Sequence, residues 1–117
     1  MSIRLKRVFE APERDDGYRV LVDRLWPRGV AKADACIDDW PKEVAPSDAL
    51  RRAFHAGELG WGAFRRRYLA ELKTQREKLR PLADRAGHET ITLVFAAKDV
   101  RHNNAVVLRQ YLEMLRK

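Results

Sequence analysis

Two short segments of the chain hold the side chains best suited to chemistry. The first is Asp23-Arg24-Leu25-Trp26-Pro27-Arg28, followed by Gly29 and Lys32. Arginines grip anionic groups through paired N–H bonds, and a neighbouring carboxylate either holds one of them or acts as a base. Asp23, Arg24 and Arg28 are therefore candidates for an anion clamp. The same three residues equally fit a buried ion pair that only fixes the loop. Trp26 can stack on a ligand ring or an arginine plane, or it can plug the edge of the core. The second segment holds Lys98, Asp99, His102 and Asn103. Asp99 or Asn103 can cap a following helix, whose free N–H groups attract anions. His102 titrates near neutral pH. If proton transfer occurs, Asp99 and His102 are the candidates for it, with Arg28 stabilising charge. A lone histidine at a helix start is more often a solvated hydrogen-bonding group, so both readings stand.

Strands and helices must position these segments. Residues 3–9, 19–25 and 90–96 read as strands, and the third is nearly all apolar or β-branched. Such a run predicts burial on both faces, as in a parallel sheet with helices on each side. Ser47 can cap a helix over 48–56 that stops at Gly57. Trp61, Phe64, Tyr68, Leu69, Leu72 and Leu79 recur at helical spacing and predict one buried stripe. Pro81 is expected to open a short helix over 81–85, ended by Gly87. A terminal helix would bury Ala105, Val106, Leu108, Leu112 and Leu115. Residues 31–46 read as irregular, because Pro41 interrupts the near-helical spacing of Ile37, Trp40 and Val44. The sum predicts one small α/β domain over 1–117, with a mostly parallel three- or four-stranded sheet flanked by helices. In such folds ligands bind outside the carboxyl ends of the strands. Both charged segments fall there.

Composition narrows the function further. Hydrophobic residues make up 45% of the chain, enough for a folded core. Lys and Arg total 24 against 17 Asp and Glu, a formal charge of +7. Basic balance suits an anionic small molecule, nucleic acid or an acidic partner, and equally a soluble Arg-rich protein. Arg65-Arg66-Arg67 lies on the polar face of its helix, where charge runs are usually solvated and can also meet nucleic acid phosphates. Cys36 is the single cysteine. It excludes an intramolecular disulfide and fits a reducing cytoplasm, and it reads as a small packing residue. No apolar run approaches the roughly 20 residues of a membrane helix, and the first residues lack the apolar core of a secretory signal. Three histidines are scattered. His55 is expected at a helix C-terminus and His88 at the surface. No metal site, Walker loop or dinucleotide fingerprint is evident, so no cofactor is implied.

The stretch Gly17-Tyr18-Arg19-Val20-Leu21-Val22-Asp23-Arg24-Leu25-Trp26-Pro27-Arg28-Gly29 resembles the signature of the YeaO-like family, domain of unknown function 488. The resemblance continues through Ala45-Pro46-Ser47, Phe54-His55, Trp61, Arg67-Tyr68 and Ala96-Ala97-Lys98-Asp99 to His102-Asn103, and so covers essentially the whole chain. It implies a compact α/β domain in the bacterial cytoplasm, with no established activity. Related members often carry cysteines after the last strand. Here Ala96 and Ala97 stand in that region, so a thiol mechanism is not supported. Pro41 also departs from the Trp-Leu-Lys run expected after Trp40. The residues point first to a small anionic ligand, phosphate- or nucleotide-like, bound at the strand ends, with acid/base chemistry left open. The alternative is a nucleic-acid-binding or regulatory module acting through the basic surface.

Overall fold

The computed structural model describes residues 2–116. Its sheet has three strands, β1 (Ile3–Arg7), β2 (Tyr18–Leu21) and β3 (Ile91–Phe95), in the order β1-β3-β2. Both pairings are parallel, with Leu5 and Val20 flanking Leu93. All of β3 is buried, as its unbroken apolar run requires of a central parallel strand. Residues 38 and 39 extend the free edge of β2. Leu21 N–H donates to the Asp39 carbonyl at 2.9 Å, and Asp38 N–H donates to the Arg19 carbonyl at 2.8 Å.

The two faces of the sheet differ in chemistry. Ile91, Leu93 and Phe95 alternate onto one face and join the hydrophobic core. That face is covered by α5 (Asn104–Arg116), which packs on β3 and β1, and by α3 (Trp61–Thr74) and α4 (Arg76–Ala86), which pack on α5. The helix α2 (Asp48–His55) packs on α3. The opposite face carries Lys6, Arg19 and Thr92, all buried. It is covered by a 3₁₀ turn (Arg14–Asp16) and the single-turn helix α1 (Lys32–Ala35), a polar cover where flanking helices are expected. Fully buried Asp16 is its hub. Its carboxylate meets Lys6 Nζ at 3.1 Å and Arg19 Nη1 at 2.6 Å, and its carbonyl accepts from Thr92 Oγ1 at 2.7 Å. Gly17 closes this turn at φ 63°. A Cβ there would stand 2.1 Å from the Thr90 carbonyl oxygen, so only glycine fits.

Several expected boundaries shift. β1 and β2 end earlier than the apolar runs suggest: after β1 the chain turns where Glu10 N–H donates to the Arg7 carbonyl at 3.0 Å, and after β2 it leaves the sheet at the Asp23 segment. The long stripe from Trp61 is broken at Gln75 (φ −108°, ψ 16°), so Leu79 belongs to α4 while still reaching the core. Pro81 lies inside α4 and does not open it. The bond it cannot make would have gone to exposed Glu77, whose carbonyl water can serve. In α5, Val107 and Tyr111 are buried while Val106 and Leu115 are only half-buried. Cys36 is exposed, in the left-handed conformation that ends α1, and does not pack in the core. Among the described residues, no helix is long and apolar enough to cross a membrane.

Candidate functional site

The chain leaves β2 at Val22 and β3 at Ala96, and a cavity of about 370 Å³ opens beyond these strand ends. Its floor is set by Asp23. Asp23 Oδ2 accepts from Ala96 N–H at 2.9 Å. Asp23 Oδ1 accepts from Asn104 Nδ2 at 3.0 Å, and the same amide donates to the Val22 carbonyl at 3.0 Å. One carboxylate thus ties the ends of two strands to the first turn of α5. Burial pushes the Asp23 carboxyl above its ordinary range, against the opposing pull of the Asn104 and Ala96 bonds and of nearby His55.

The cavity wall is largely apolar and aromatic, with Trp26, Pro27, Phe54 and Phe64 among its members. Phe54 and Phe64 stack at 4.2 Å. Trp26 donates its indole N–H to the Val30 carbonyl at 2.7 Å and meets Trp40 edge-on at 5.4 Å. Trp40 in turn donates to the Asp23 carbonyl at 2.7 Å. The positive φ of Gly29, 77°, lets residues 26–30 close this turn.

Cationic side chains complete the wall. Arg24 spends Nε and Nη2 on the carbonyls of Pro46 and Ala45, at 3.0 and 3.2 Å. It holds the entry to α2 in place and makes no ion pair with Asp23. Arg51, on α2, reaches only Asp48, at 3.4 Å. Its Nε is buried without a hydrogen-bond partner, alone in this among the described residues. An unpaired buried donor is costly. Lys98 is exposed on the wall. His102 also lines the cavity and stacks on Trp61 at 4.9 Å.

The other expected site residues are placed differently. Arg28 is exposed and outside the cavity wall. Asp99 also lies off the wall. It accepts from the N–H groups of Arg101 and His102 at 2.9 and 3.0 Å, and these bonds hold its carboxyl below its ordinary range. Asn103 does line the cavity, and it also caps α5, accepting from Val106 N–H at 3.1 Å and donating to the Asp99 carbonyl at 2.8 Å. Arg51, His55 and Asn104 join the wall without having been singled out from sequence. Arg51 carries no local signal, since it reads as one more cation on an amphipathic helix. Among the described residues, no group of three or more His, Cys, Asp and Glu is placed to hold a metal.

The chain matches a family model described as the inactive DUF488-N3 subclade over residues 2–116. It is 46% identical to uncharacterized protein YeaO of Escherichia coli K12 over 115 residues, which is 98% of this chain and 100% of that one. It is 40% identical to uncharacterized protein Rv3073c of Mycobacterium tuberculosis H37Rv over 110 residues, 94% of this chain and 92% of that one. No solved structure matches it.

Proposed function

The chain belongs to the YeaO-like proteins of the inactive DUF488-N3 subclade, and on that premise we propose that it is a binding module for a small phosphate- or nucleotide-like anion. The cavity at the strand ends is the site. The observation that carries this reading is Arg51, a lining residue whose guanidinium has one side-chain partner, Asp48 at 3.4 Å, in an aromatic cavity that also holds Lys98. A phosphate or carboxylate oxygen pairs with the N–H groups that Arg51 leaves free. The aromatic wall favours a ring on the same ligand, and the volume is of the size that suits one. A mononucleotide is the model compound. The word "inactive" in the family's description favours binding over turnover. In this reading Asp99 and Asn103 shape the loop, and His102 and Trp26 pack against the ligand.

A thermal-shift screen against nucleotides, sugar phosphates and simple anions tests this. Ligand at a hundred times its dissociation constant stabilises by about 2.7 kcal/mol, or roughly 10 °C for a domain of this size. The expected result is a shift of that order that is lost in Arg51→Ala and kept in Arg28→Ala, since Arg28 lies off the wall. A flat screen overturns the proposal.

A further inference from the structure

Asp23 is the one acidic side chain on a cavity wall that otherwise carries arginine, lysine and histidine. A site built only to hold an anion gains nothing from a carboxylate, which repels it. Nor is Asp23 spent on a cation, for among the described residues no ion pair includes it. Each of its oxygens accepts a single bond, one from Ala96 and one from Asn104. A carboxylate has about four acceptor positions, so roughly half remain open. The wall thus has two opposite demands, an under-used guanidinium on Arg51 and an under-used acceptor on Asp23. Both are met by one molecule that is anionic at one end and carries N–H donors at the other. Aromatic rings line the wall between the elements that supply them, Phe54 on the same helix as Arg51 and Trp26 on the same loop as Asp23.

We propose that the cavity recognises a nucleobase bearing an N–H donor edge, with the donors on the Asp23 carboxylate and the attached phosphate on Arg51 and Lys98. This rests on the anion-binding reading above and narrows it from any small phosphate- or nucleotide-like anion to one class. Recognition by a buried carboxylate is selective, because a base without donors leaves Asp23 desolvated and unpaired.

The test is titration calorimetry on the full chain with three kinds of probe. The first is guanosine, adenosine and cytidine 5′-monophosphates, whose bases carry N–H donors. The second is purine riboside 5′-monophosphate, whose base carries none. The third is ribose 5-phosphate. We expect at least one donor-bearing nucleotide to bind about tenfold or more tightly than purine riboside 5′-monophosphate, the ratio that one hydrogen bond to a charged group sets. Asp23→Asn should erase that ratio while leaving purine riboside 5′-monophosphate binding. Equal binding of both nucleotide kinds overturns donor recognition and leaves the anion site standing. Ribose 5-phosphate binding as tightly as every nucleotide does the same. Absence of binding by every probe overturns both. The wild-type ratio decides the matter even if Asp23→Asn fails to fold, since that residue also ties β2 to β3.

Discussion

Single residues divide sharply between holding the fold and facing the cavity, and Asp16 and Asp23 show the contrast. Asp16 is fully buried and saturated. Lys6, Arg19 and the Glu13 N–H all bond to it, and these bonds outweigh its burial and hold its carboxyl below the ordinary range. The Glu13 hydrogen bond, with those of Asp16, raises Lys6. Asp16→Ala leaves two buried cations without their shared partner and should cost about 3–5 kcal/mol, read as a lower urea midpoint. The sign of the pH effect follows from the lowered carboxyl. Its contribution is complete above the unfolded aspartate value of about 3.9. It is lost as pH falls through the lower folded value, so the wild-type urea midpoint should drop in that acid window. Asp23 has the reverse shift. Its folded form binds protons more readily than its unfolded one, so its ionisation weakens the fold as pH rises above about 3.9.

At the scale of elements, caps do much of the positioning. Ser47 accepts from Leu50 N–H at 3.3 Å and donates its hydroxyl to Glu71 of α3 at 2.6 Å, which locks α2 against α3. That lock sets where Arg51 stands. Asn103 plays the equivalent part for α5 and for the loop from Ala97 to His102. Asn103→Ala should cost about 1–2 kcal/mol through the lost cap and the orphaned Asp99 carbonyl. It should also speed hydrogen exchange at Arg101 and His102, and it should weaken nucleotide binding without abolishing it. Unchanged exchange in that loop would remove Asn103 from the account of how the cavity is shaped.

For the whole molecule, the question is what the charge of +7 is for. Part of it is internal, since Lys6 and Arg19 balance Asp16 beneath the sheet. Part lies on helix faces, where Arg65 bonds Gln110 at 2.9 Å. Only a few cations line the cavity. A mononucleotide carries no condensed counterion atmosphere, so its binding there should change only weakly with salt. A slope of five or more with a mixed-sequence oligonucleotide, and no mononucleotide binding, would instead assign the protein's function to its basic surface.

The sequence by itself determined the parallel α/β class, the central burial of β3, the Ser47 cap and the fall of both charged segments at strand ends. Each of these follows from local pattern: an unbroken apolar run, a capping residue, alternation and turn residues. Tertiary structure decided which charged residues share a cavity. Asp23 and Asn104 lie 81 positions apart, and they meet because α5 starts where β2 ends. Arg51 joins them from a helix packed on α3, whereas Arg28, only five residues from Asp23, turns to solvent. Spacing along one segment cannot foresee such meetings, because they depend on the register of the sheet and the docking of helices on its apolar face. The polar cover of the other face escaped for the same reason. No local pattern marks Lys6, Asp16 or Arg19 for burial, and only their convergence beneath the sheet offsets the cost of burying them.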